Sequence, residues 1–216
     1  LELHKTVSWH LNCNWKCAHE NFLETLHIPF VHPGTVHKTI DNRCFAKYVF
    51  SKGHSVTNIK AREGFEAGLY RKDVDSERTM KPITYQSTRT FNIFPNIVMP
   101  ISDGVFAIIE AMPLTVSTCR IDVHFLVKDL RASGAAADAM ANDAIAAFGP
   151  VVEEDVIILA EMHRSLAGGG IRSVPLSYSE QLIYNYQIEL DRLMDETAPV
   201  PAAWRLKRIP LPWVDI

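Results

Sequence analysis

No stretch of this 216-residue chain stays apolar for the roughly 18 residues a membrane-spanning helix requires. The N-terminus also lacks a basic-then-apolar leader, so neither a membrane partner nor export is expected. Cysteine is scarce, with Cys13, Cys17, Cys44 and Cys119 the only four and no close framework among them. That excludes a small disulfide-stapled scaffold and predicts free thiols in a reducing, cytoplasmic setting. An excess of one charge is missing too: 22 Lys and Arg stand against 25 Asp and Glu, for a net charge of −3. The densest basic cluster is Arg205, Lys207 and Arg208, which reads as a solvated tail, so nucleic acid is not an expected partner. Apolar residues, by contrast, make up 47% of the chain. They suffice for a full core, and a single domain over residues 1–216 is the expectation for this length.

One short segment concentrates polar chemistry: Asn21-x-x-Glu24-x-x-His27-x-x-x-x-His32. In a helix, positions 21, 24 and 27 project from neighbouring directions. Position 32 lies about 140° round the wheel from 27, so both imidazoles meet one ion only if the helix unwinds between them. Pro29 is the expected break, because it disfavours helical geometry at Ile28 and has no N–H. A third ligand is expected from the helix that opens at Gly149-Pro150. Its acids Glu153, Glu154 and Asp155 would be favoured near a helix N-terminus by the dipole alone. Asp155 differs in being followed directly by Val-Ile-Ile-Leu, which puts its carboxylate at a polar-to-apolar edge. Two histidines and one carboxylate form the facial triad of non-haem Fe(II) oxygenases. The same set suits a zinc hydrolase with Glu24 as general base, and two capping or surface histidines are the bland alternative.

Periodicity gives the frame around this segment. Residues 14–28 read as helix and 29–43 as loop. Strands are expected at 45–50, 55–59, 88–94, 105–111 and 118–127, the last with Cys119, Ile121, Val123, Phe125 and Val127 on one face. Lys52-Gly53 and Asp103-Gly104 supply turns. An alanine-rich helix to about Phe148, the Asp155 helix to about Leu166 and a terminal helix from Tyr178 to Asp195 follow. Strands first and helices after indicate α+β with a largely antiparallel sheet. Residues 197–216, with four prolines and Trp204 and Trp213, are expected to wrap the domain or a neighbouring subunit as an extended tail.

The run Asn14-Trp15-Lys16, Glu20-Asn21-Phe22, the spaced acid and the two histidines resembles the catalytic domain of Rieske-type aromatic-ring-hydroxylating oxygenase α subunits. Phe94-Pro95-Asn96, the Glu153-Glu154-Asp155 helix and a final helix with Ser179-Glu180 and Tyr186 extend the likeness over nearly the whole chain. The resemblance implies an antiparallel sheet curled around a long C-terminal helix, the helix-grip fold of Bet v1-like and START-like proteins. It implies mononuclear Fe(II) on His27, His32 and Asp155, with Asn21 near the iron. Glu24 would bridge the iron and an incoming electron carrier, at a position more often Asp. The activity implied is O2-dependent hydroxylation of a small organic, typically aromatic, substrate, fed by a ferredoxin or reductase, in a homotrimer.

His163 stands where a polar amide is the family's habit. The family's [2Fe–2S] Rieske cluster needs a Cys-x-His and a Cys-x-x-His loop, and only Cys17-Ala18-His19 matches half of that pair. The cluster is therefore expected in a missing N-terminal domain or a partner chain, and the start at Leu1 suggests a fragment. A metal-free helix-grip ligand-binding module is the remaining alternative.

Overall fold

The computed structural model describes residues 2–63, 87–101, 105–127, 135–171 and 173–197. Among these residues, seven strands form one antiparallel sheet: β1 Glu2–Leu11, β2 Ile40–Val49, β3 Ser55–Ala61, β4 Ser87–Ile93, β5 Ile97–Ile101, β6 Val105–Pro113 and β7 Cys119–Val127. Their order is β1-β7-β6-β5-β4-β3-β2. The helices are α1 Trp15–Glu20, α2 Ile28–Val31, α3 Ala135–Ala167 and α4 Gln181–Thr197.

One row of residues across the sheet explains where the helices pack. Val7, Val123, Ile109, Val98, Asn92, Ser55 and Val49 are successive cross-strand partners on a single face. The row is apolar over β1, β7, β6 and β5, then turns polar at β4 and β3. The long helix α3 lies over the apolar half, against β1, β7 and β6. There Phe148, Val152 and Leu159 join Leu11, Ile121, Val123 and Phe125 in the main core. Over the polar half, Asn92 is buried beneath α1 and accepts a 2.8 Å hydrogen bond at Oδ1 from the His19 ring.

This arrangement corrects the expected helix-grip architecture. Among the described residues the sheet is open: β1 and β2 are its two edges and do not pair with each other. Nor does it curl round a long C-terminal helix. The longest described helix is α3, which precedes α4 and covers only one half of the sheet. The cause lies in the residues: an apolar helix stripe gains burial over Val98, Ile109 and Val123, but not over Ser55 and Asn92.

Three local outcomes also differ from the sequence expectations. β1 and β5 had no expected counterpart, although Val7, Trp9 and Leu11 alternate inward and β5 is marked by Pro100, a residue that argues against a strand. The two helices expected on either side of Gly149-Pro150 are one continuous helix with Pro150 inside it. Phe148, Val151 and Val152 are all buried there, and their packing outweighs the hydrogen bond that proline removes. Finally, β2 begins at Ile40, inside the expected loop. The expected turn at Asp103-Gly104, and the tail beyond Thr197, lie outside the described residues.

The Lys52-Gly53 turn is as expected. Both residues have positive φ, 58° and 73°, as a type I′ connection between twisted strands requires. A Cβ on Gly53 would stand 2.6 Å from Phe94 Cδ2 and 3.1 Å from Glu189 Cβ. Gly53→Ala should therefore cost about 2–3 kcal/mol, combining left-handed strain with overpacking. Urea denaturation checks this, and a loss under about 0.5 kcal/mol would contradict it.

Candidate metal centre

Asn14 starts the segment by capping α1, its Oδ1 accepting the Lys16 N–H at 3.0 Å. α1 passes into a 3₁₀ turn at Asn21–Leu23, and at Glu24 the backbone becomes extended, with φ −131° and ψ 175°. The break in the helix thus falls between Glu24 and His27 rather than at Pro29. Pro29 sits in the first turn of α2, where its missing N–H would have no helical partner anyway. His27 precedes α2 and His32 ends it, so one short turn separates the two imidazoles. Their ring centroids are 5.1 Å apart and nearly perpendicular.

Asp155 closes the set. Its Oδ1 lies 3.1 Å from His32 Nε2 and 4.0 Å from His27 Nε2. One ligand atom from each of the three residues falls within 4.8 Å of the other two. It is the one such His/Cys/Asp/Glu group among the described residues. His32 and Asp155 are 2% and 5% exposed, while His27 is half-buried. Asp155 Oδ1 is buried with no hydrogen-bond partner, the His32 nitrogen being near but out of line. Such an oxygen is costly to bury unsatisfied. A divalent cation between two imidazole nitrogens and this oxygen would satisfy it, and that donor set fits mononuclear Fe(II).

The outward-facing nitrogen of each histidine meets another carboxylate. Glu24 Oε1 contacts His27 Nδ1, and Glu24 Oε2 accepts the backbone N–H groups of Leu26 and His27. Glu154 Oε2 lies 2.7 Å from His32 Nδ1 and accepts the Thr35 hydroxyl at 2.7 Å. Burial opposes protonation of His32, but the adjacent carboxylates of Asp155 and Glu154 outweigh it and raise the pKa. Burial pushes Glu154 up, and its bonds to His32 and Thr35 more than reverse this, leaving it below the ordinary value.

Four of the five expected site residues therefore converge: Glu24, His27, His32 and Asp155. Asn21 is half-buried at the end of α1, and among the described residues no hydrogen bond joins its side chain to the triad. His163 packs behind α1, its Nδ1 accepting the Asn14 N–H at 3.4 Å. Glu154 and Thr35 were not singled out in the sequence. The dipole explanation of Glu154 fails, because α3 begins at Ala135 and positions 153–155 lie deep inside it. The signal that could have found it is its place beside a candidate ligand.

Cys17-Ala18-His19 has a structural role. Cys17 is in the main core, and His19 is buried between Asn92 and the Tyr186 ring, 4.8 Å away. Burial lowers the His19 pKa to about 4, so the ring is neutral. The Phe94-Pro95-Asn96 motif joins β4 to β5, with Pro95 O accepting the Tyr186 hydroxyl at 2.8 Å.

Residues 1–196 match the family model of the ring-hydroxylating α subunit, catalytic domain. The chain belongs to this family. No curated protein shows significant similarity to it. Among solved structures, the chain resembles naphthalene 1,2-dioxygenase from Rhodococcus sp., with TM-score 0.66 and 17% identity over 91% of this chain and 57% of that one. A quaternary ammonium Rieske monooxygenase gives 0.65 and 15% over 89% and 49%. Dicamba monooxygenase gives 0.61 and 13% over 91% and 61%. At these identities the likeness shows the fold. The chain spans about half to three-fifths of the length of these relatives. Among the described residues, no helix is long and apolar enough to cross a membrane.

Proposed function

We propose that this catalytic domain is an O2-dependent oxygenase that hydroxylates a small organic, typically aromatic, substrate at Fe(II) held by His27, His32 and Asp155. The observation that carries the reading is the convergence of two Nε2 atoms on the buried, unpartnered Asp155 Oδ1. Bound there, Fe(II) supplies the one-electron and O2 chemistry that side chains cannot. The chain's own residues do the rest. Buried His32 and Asp155 keep bulk water from one side of the site. Glu24 holds the Nδ1 side of His27 and carries a charge that a histidine N–H of an electron-carrying domain could approach. Asn21, three residues before Glu24, would lie near the iron. Family membership supports an external electron donor, a ferredoxin or reductase acting through a [2Fe–2S] cluster domain. A homotrimer in the cytoplasm, with residues 1–216 as a single domain, completes the proposal.

Protein purified without oxygen should contain one iron per chain. Stoichiometric zinc, or no metal after Fe(II) loading, would overturn the assignment. The same preparation should not sustain NADH-driven hydroxylation with a reductase alone, because the sequence has no Cys-x-His and Cys-x-x-His pair. Continuous product formation without an added cluster protein would contradict the dependence on one. A single turnover driven by peroxide would not, since peroxide brings both oxygen and electrons.

A further inference from the structure

We infer that Glu154 is a positioning residue that fixes His32 in the tautomer able to receive a metal. The inference rests on the iron reading above and concerns a residue outside the ligand set. A neutral imidazole carries one proton, and two acceptors flank His32. Glu154 Oε2 is 2.7 Å from Nδ1 in hydrogen-bonding geometry, whereas Asp155 Oδ1 is 3.1 Å from Nε2 and out of line. The better-placed acceptor takes the proton to Nδ1, and the Nε2 lone pair is left facing His27 Nε2 and Asp155 Oδ1. With the proton on Nε2 instead, His32 would donate into Asp155 Oδ1. Two of the three ligands would then be satisfied by each other.

Glu154 is itself held in place. The Thr35 hydroxyl donates to the same Oε2 at 2.7 Å, and Thr35 follows His32 by three residues. The contact thus also ties the segment after α2 to α3. One helical step supplies both a ligand, Asp155, and the acid that orients a different ligand, His32. Glu24 performs the corresponding task for His27 from within its own segment. Glu154 has no role at a helix end, because α3 runs from Ala135 to Ala167.

The test uses metal-free protein at a pH where His32 is neutral, with ring ¹⁵N chemical shifts assigning the tautomer. In the wild type, His32 should carry its proton on Nδ1. Glu154→Leu should move it to Nε2. Glu154→Gln should give a mixture, since its amide oxygen still accepts, and Thr35→Val should shift the balance the same way but less. Fe(II) release should accelerate about 10- to 100-fold in Glu154→Leu, with smaller changes in the other two. If Glu154→Leu does not fold, Glu154→Gln and Thr35→Val decide the matter by the same readouts. An unchanged tautomer, or iron release at the wild-type rate, would sink the role of Glu154 alone. Wild-type protein that takes up no Fe(II) would sink the iron reading and this inference together.

Discussion

Replacing His27 and His32 together with alanine should reduce iron from one per chain to none and leave the fold standing. The main core is assembled by β1, β7, β6, β5 and α3 around Phe125, Val123 and Leu159, and neither histidine belongs to it. Loss of their packing and of the contacts to Glu24 and Glu154 should cost the metal-free protein about 1–3 kcal/mol. Metal analysis after gel filtration, beside circular dichroism, reads both effects. Stoichiometric iron in the double variant would place the metal elsewhere. Each single alanine variant should also lose the metal, because two remaining donors form no facial set.

Glu24→Gln should keep iron and substrate binding and lower coupled turnover of the complete, cluster-bearing protein at least about tenfold, a size in line with loss of other outer carboxylates around metals. The amide preserves length and can still accept from His27, but it removes the charge that would draw an approaching histidine. Glu24→Asp should be milder. The carboxylate already accepts backbone N–H groups two and three residues onward, a local pattern that aspartate readily makes. Were Glu24 only a solvated acid, both variants would lie within about 0.5 kcal/mol of wild-type stability and leave the rate alone. Wild-type coupled rates in Glu24→Gln, with iron content verified, would end the relay reading.

The metal-ligand candidates were legible in the sequence because their chemistry is local. Asn14 to Gly34 contains two of the candidate ligands and the acid Glu24, and Asp155 marks itself where its helix turns apolar. The Lys52-Gly53 turn was legible for the same reason, since only two residues decide it. The architecture was less so. Whether the sheet curls depends on which side chains stand beside each other across strands far apart in sequence, such as Val98 against Asn92 and Asn92 against Ser55. Pro29 and Pro150 show a related gap. Local rules read each as a helix break, yet Pro29 sits in a first turn and Pro150 is held within α3 by buried Phe148, Val151 and Val152. Glu154 was hidden because its partner, His32, is 122 residues away.

That separation has a consequence for the molecule as a polymer. His32 precedes β2, and Asp155 follows β7. An ion bound by both would therefore close a ring of chain that contains six of the seven described strands. Drawing α2 away from α3 would have to break a coordination bond first. Iron would thus act as a clasp that confines the unfolded chain, as a long-loop cross-link does. With iron bound, α2 and α3 would part only when the metal leaves one of its two ligands.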